Sequence, residues 1–188
     1  VLDRESLASQ KGAVLGIVPG QPQPSQKWFE TWLLKTLSAF DPERPVYVEA
    51  ESRKIGNLHV PEALIGQIRN GECLGVEASI TARVSFLLKD YEYFLAEPAL
   101  FIDRLGALQG LQSRETLDNW RALAEAGHWQ PLVQALLEMH YDPLYLRSQN
   151  RNYAGYRPLE NFVTDDLSPA GIRIMAERLL QGRRAQIA

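Results

Sequence analysis

A short β-branched and aromatic run that ends in a cluster of charge constrains this chain more than any other feature. Pro45-Val46-Tyr47-Val48 leads into Glu49-Ala50-Glu51-Ser52-Arg53-Lys54-Ile55-Gly56. Val46 to Glu49 has the composition of a buried strand. Strands of parallel sheets carry ligand-binding residues at their carboxyl edge, so the run predicts an α/β fold with a site at a strand end. On an extended chain Glu49 and Glu51 point to the same side. One of them can hold a magnesium-bound water while Arg53 or Lys54 meets a phosphate. The Ser52 hydroxyl suits a phosphate, a metal or the capping of a turn. The competing reading is a strand end that runs into a solvated loop.

The rest of the chain extends this outline. Val1-Leu2 reads as a strand end, with Asp3 and Glu5 at its carboxyl edge, and a start on an apolar pair suggests a chain cut within a strand. Lys11 to Pro24, rich in Gly, Pro and Gln, reads as a loop. Ser25 is an N-cap for a helix through Phe40, with Trp28, Phe29, Trp32, Leu33 and Leu37 as its apolar face. Pro61 opens a helix to about Arg69, which Asn70-Gly71 stops. Cys73 to Glu77 is a third strand. From Ser79 to about Arg151 only helical patterns appear, among them Leu117, Trp120, Leu123, Ala124 and Leu132, Leu136, Leu137, His140. Asn161 to Thr164 is a last strand, and Ser168-Pro169 opens a terminal helix with Ile172, Met175, Ala176 and Leu179 on one face. The expected organisation is an α/β portion over residues 1–78, a helical insertion over 79–157, and a closing strand and helix over 158–188.

Composition narrows the function classes. The 188 residues are 45% hydrophobic and 23% charged, enough apolar material for a core. The net charge of −3 gives no global attraction to nucleic acid, so RNA contacts need a local basic patch. One cysteine excludes an internal disulfide and fits a reducing cytoplasm. No apolar run approaches the ~20 residues that span a bilayer, so no membrane partner is expected. His59, His128 and His140 lack metal-ligand spacing. His140, on an apolar helical face, reads as a hydrogen-bonded core histidine, while His59 lies beside the charged segment. No Gly-x-Ser-x-Gly elbow surrounds Ser52.

A second stretch, Tyr141 to Arg157, interleaves Tyr141, Tyr145, Tyr153 and Tyr156 with Arg147, Arg151 and Arg157. Aromatics can stack on splayed bases while arginines meet phosphates. The competing reading has the tyrosines covering a helix-to-sheet junction and the arginines paired with carboxylates.

The wording of several segments resembles one family. "VEAESRKIGNLHVPEAL" (Val48 to Leu64) is similar to the signature of the tRNA 2-selenouridine synthases. The resemblance continues in "VLDRESLASQKGAVLG" (Val1 to Gly16), "QPSQKWFE" (Gln23 to Glu30), "RVSFLLKDY" (Arg83 to Tyr91) and "HYDPLYLRSQNRN" (His140 to Asn152), in order over most of the chain. Such proteins join a rhodanese-like domain to a P-loop-like domain. The resemblance implies the carboxyl-terminal part after the P-loop, a partial P-loop-like parallel sheet with a large helical insertion. It implies a cytoplasmic transferase that replaces sulfur by selenium in wobble 2-thiouridine of tRNA through a geranylated intermediate, with selenophosphate and geranyl diphosphate as substrates of the whole enzyme. Glu49, Glu51, Ser52, Arg53 and Lys54 would then line a phosphate or substrate pocket. Arg83 would suit a lid arginine by analogy with P-loop kinases, and Arg147, Arg151, Tyr153 and Arg157 would contact tRNA.

The departures matter as much. Phosphate cradling by a P-loop needs Gly-x-x-x-x-Gly-Lys-Ser/Thr, and the glycines Gly12, Gly16 and Gly20 lack the Lys-Ser/Thr pair. The reactive cysteine of a rhodanese-like half has no counterpart, because Cys73 lies in a strand-like segment and reads as a small core residue. The chain by itself is therefore expected to carry no catalytic residue and no cofactor, and to be inactive without the rhodanese-like and P-loop portion. Two rivals remain: a non-catalytic tRNA-binding module, and a P-loop-like small-molecule kinase relative.

Overall fold

The computed structural model describes residues 1–12, 15–16, 18–50, 52–153, 158 and 160–187, with backbone alone at 160 and 183–187. The chain divides into two compact units, residues 1–71 with 148–154, and residues 72–147 with 155–188. It is a helix-rich α/β protein with a small parallel sheet.

In the first unit the Asp3 side chain accepts a hydrogen bond from the Ser6 N–H at 2.8 Å and starts a one-turn helix, α1 (Arg4–Ala8). The loop after it leads to α2 (Gln26–Ser38), capped as expected by Ser25, whose hydroxyl accepts from the Trp28 N–H. The expected strand at Val46 to Glu49 is reduced to one parallel bridge, Leu2 with Val48, and a 2.8 Å bond from the Leu2 N–H to the Tyr47 carbonyl. The reason is local: α1 begins two residues after Leu2, so among the described residues Val48 pairs with Leu2 alone. A hairpin too short to show a period in the sequence follows, β1 (Lys54–Ile55) against β2 (Leu58–His59), antiparallel and turned at Gly56-Asn57. Gly56 has φ +57°, at the first turn position where a two-residue hairpin favours glycine. Helix α3 (Glu62–Asn70) starts after Pro61 and stops at Gly71.

Leu2, Ala8, Phe29, Leu33, Ile55, Leu58, Val60 and Ile65 form the core of this unit. Each large member contributes about 1.5–3 kcal/mol by leaving water. Trp28 and Trp32, expected on the core face of α2, are instead 45% and 38% exposed. Phe29 and Leu33 take up the contact, and the apolar stripe is wider than the surface it meets.

The second unit holds β3 (Leu74–Glu77), α4 (Ile80–Asp90), α5 (Glu92–Ala96), α6 (Pro98–Leu105), α7 (Arg114–Glu125), α8 (Trp129–Leu136), the start of α9 (Asp142–Asn152), β4 (Glu160–Val163) and α10 (Pro169–Ile187). Strands β3 and β4 pair in parallel, with Val76 opposite Phe162. A parallel pair needs a long crossover, and the helical run supplies it. Ser79 caps α4, and its own N–H donates to the Asp165 carboxylate at 2.8 Å, which ties the end of β4 to the start of α4. Hydrogen bonds from the Ser79 N–H and from its hydroxyl hold the Asp165 carboxyl below the usual carboxylate range. Val84, Phe94, Phe101, Leu105, Trp120 and Leu132 are buried. Phe101 lies edge-on between Phe94 and Trp129, with ring centroids 5.7 and 5.8 Å away.

His140 is buried, as the apolar spacing indicates, on a π-helical turn (Leu137–Tyr141) between α8 and α9. The Gln112 amide nitrogen donates to the Met139 carbonyl at 3.2 Å and faces His140 Nδ1 at 3.1 Å. Nδ1 therefore accepts, and the neutral ring carries its proton on Nε2. Burial pushes the His140 pKa down. On α10, Met175 and Leu179 are half-buried while Ile172 and Ala176, expected on the same covered face, are exposed. No helix among the described residues is long and apolar enough to cross a membrane.

Candidate functional site

The charged segment belongs wholly to the first unit. The Leu2–Val48 bridge runs in parallel, so both chains reach their carboxyl ends together and place Asp3 and Glu49 at one edge. The sequence reading missed what joins them. Arg4, the first residue of α1, is fully buried. Its Nη2 donates to the Glu49 carbonyl at 2.7 Å and lies 3.7 Å from the Glu49 carboxylate, which is 40% exposed. Nε and Nη1 of Arg4 are buried with no hydrogen-bond partner among the described residues. A buried guanidinium without full pairing is costly, and here it fixes the turn out of Val48. The only hint in the sequence is a cation set between the acids Asp3 and Glu5.

Ser52, Arg53 and Lys54 are exposed, while Ile55 turns into the core. The Ser52 hydroxyl accepts from the Lys54 N–H at 3.2 Å, a turn-capping role. Arg53 turns toward Glu62 on the first turn of α3, with Nη1 3.4 Å from the carboxylate and side chains 60% and 74% exposed. Lys54 has no carboxylate partner among the described residues and projects from β1 into solvent. Glu51 lies outside the described residues. Behind the segment, the Gln23 amide donates to the Ile55 carbonyl at 3.0 Å and accepts from the Asn57 N–H at 2.8 Å. Gln26 grips both backbone groups of His59, at 2.7 and 2.9 Å. His59 is thus tied through its backbone while its ring stays exposed. The arrangement offers a partly exposed carboxylate, held by a buried arginine, on a segment that presents two solvent-facing cations. That is chemistry suited to phosphate groups.

The other expected residues lie elsewhere. Arg83, in the second unit, pairs with Asp142 at 2.7 Å, each about one-third exposed. Arg147 is exposed and donates to the Pro143 carbonyl of its own helix at 3.0 Å. Arg151 is exposed, but Tyr153, expected to stack on a base, is buried at 6% exposure, packed into the first unit with Gln149. A ring so covered has no free face, and among the described residues Tyr145, 49% exposed, is the open ring of that stretch. Tyr156 and Arg157 lie outside the described residues. Cys73 precedes β3 and is half-buried. No group of three or more His, Cys, Asp or Glu side chains among the described residues is placed to hold a metal ion.

Comparison with known proteins places this geometry in a family. Residues 1–119 match the family described as the tRNA 2-selenouridine synthase AAA domain. The chain is 29% identical to a tRNA 2-selenouridine synthase of Nitrosomonas europaea, over 80% of this chain and 50% of that protein. It is 32% identical to one of Alcanivorax borkumensis, over 77% and 47%, and 27% identical to one of Nitrosomonas eutropha, over 80% and 50%. The chain spans about half the length of these curated relatives. No solved structure matches it. The family match covers α1, the Glu49–Gly56 segment, α3 and α4, so the chain belongs to the tRNA 2-selenouridine synthase AAA domain family.

Proposed function

We propose that this chain is the carboxyl-terminal, P-loop-like part of a tRNA 2-selenouridine synthase and that it does not act without the rest of the enzyme. The observation that carries the reading is the family match over residues 1–119, which spans the whole charged segment. In the proposed reaction the sulfur of wobble 2-thiouridine is first alkylated by geranyl diphosphate, releasing pyrophosphate. The selenium of selenophosphate then displaces the alkylated sulfur as geranyl thiol, and water cleaves the Se–P bond, releasing phosphate and leaving 2-selenouridine. Alkylation turns a poor leaving group into a good one. The segment Glu49 to Lys54 would take the diphosphate: Arg53 and Lys54 supply cations, and Glu49, steadied by Arg4, supplies a carboxylate for a water or a magnesium ion. Arg83 and the exposed arginines Arg147 and Arg151 are candidates for further phosphate contacts. The compartment proposed is the cytoplasm.

The absence of Gly-x-x-x-x-Gly-Lys-Ser/Thr from the sequence supports the inactivity of the chain alone. It equally favours a second reading, a non-catalytic tRNA-binding module. Deleting the coding segment for this chain and digesting cellular tRNA to nucleosides separates the two. The first reading expects loss of 2-selenouridine with build-up of 2-thiouridine. Unchanged selenouridine refutes it.

A further inference from the structure

We propose that the face of α2 bearing Trp28, Trp32 and Lys35 is a stacking platform for unpaired RNA bases. The two indoles sit one turn apart, with ring centroids 5.5 Å apart and planes at 40°. They are 45% and 38% exposed. The Lys35 ammonium lies 4.3 Å from the Trp32 ring centroid. The core contact of the helix is already made by Phe29 and Leu33, and neither indole belongs to the core cluster of the unit.

The charge of this face selects the occupant. At 3.6 residues per turn, Trp28, Thr31, Trp32 and Lys35 share one side. The one acid of α2, Glu30, falls on the far side, where it accepts from the Gln26 amide. The face thus carries two aromatic planes and a cation with no carboxylate among them, on a chain of net charge −3. Aromatic planes accept any base, and a neighbouring cation meets the phosphate between bases. The strip is narrow, flanked by Thr31 and Thr36. A stable protein interface needs roughly 1,000 Å² or more, and a membrane-surface helix needs a continuous apolar face. Neither suits two indoles set among hydroxyls and a lysine. The proposal goes beyond the functional reading above, on which it rests for the choice of RNA as the polyanion.

The test uses the whole 188-residue chain and the fluorescence anisotropy of a labelled anticodon stem-loop and of a labelled ten-nucleotide polyuridine, at several salt concentrations. Trp28→Leu and Trp32→Leu should each weaken binding to both RNAs roughly tenfold with the salt slope unchanged, because stacking releases no counterions. Lys35→Gln should flatten the slope by about 0.7. Circular dichroism should report the same helix content in all three variants, since the altered side chains are exposed. Unaltered affinity in both tryptophan variants overturns the platform, as does an unaltered chain that binds neither RNA. Sedimentation that reveals a dimer dissolved by Trp28→Leu also overturns it and gives the face to a second copy. None of these outcomes touches the selenouridine reading, which the nucleoside digest decides by itself.

Discussion

Replacing Gly56 with alanine should destabilise the first unit, and the structure sets the size. Gly56 has φ +57°, and a Cβ built there collides with the side-chain amides of Gln10 and Gln23. The left-handed backbone costs a non-glycine residue about 1–2 kcal/mol. Moving Gln23 aside breaks its bonds to the Ile55 carbonyl and the Asn57 N–H, each worth about 1 kcal/mol net. Against this stands a gain of about 0.4–1 kcal/mol from a stiffer unfolded chain. The balance is a loss of about 2–3.5 kcal/mol. Gly66, inside α3, is the internal control. A Cβ there meets nothing within 4 Å, so Gly66→Ala should gain about 0.5–1 kcal/mol from helix propensity and unfolded-state entropy. Urea denaturation followed by circular dichroism measures both. Opposite shifts of the midpoint are expected at constant slope. A Gly56→Ala midpoint equal to or above that of the unaltered chain refutes the account of the hairpin turn.

Phe29→Ala, which removes a fully buried ring from the first core, should cost about 3–5 kcal/mol; a urea midpoint shift equivalent to under 1 kcal/mol would contradict the assigned core. Burial lowers the His140 pKa, so the unfolded chain binds that proton more readily. The stability His140 contributes is full above the ordinary value near 6.5 and is lost as pH falls through the lower folded value. Thermal melts from pH 8 to 5 should therefore fall in midpoint, and His140→Gln should flatten the fall; an equal fall in the variant removes His140 as its source. Arg53→Gln breaks a pair so exposed that stability should change by less than about 0.5 kcal/mol. The same change should weaken pyrophosphate binding severalfold by titration calorimetry, most at low salt; intact binding would take the anion role from Arg53.

Elements with a local punctuation mark were legible in the sequence. Ser25, Pro61 with Gly71, and Ser168-Pro169 mark α2, α3 and α10 within a residue or two, because caps and breakers act through their own neighbours. Helix α1 and the β1–β2 hairpin escaped notice, since five and two residues are too few to show a period. Periodicity marked the apolar stripe of α2 but not the width of the surface it meets, so Trp28 and Trp32 were assigned inward. The site divides in the same way. The charged segment was evident from composition, whereas Arg4 finds Glu49 across 45 residues and Arg83 finds Asp142 across 59. The burial of Tyr153 likewise depends on chain distant in sequence.

The most direct test of the account is a nucleoside digest of thiolated tRNA incubated with selenophosphate and geranyl diphosphate, run three ways: the 188-residue chain alone, the full-length enzyme that contains it, and that enzyme with Glu49→Gln and Arg53→Gln. Mass spectrometry should find 2-selenouridine only with the unaltered full-length enzyme, and strongly reduced geranylated thiouridine with the double variant. Selenouridine formed by the chain alone, or undiminished geranylation in the variant, would contradict the claim that residues 49–54 form the diphosphate site of an enzyme completed by its other half.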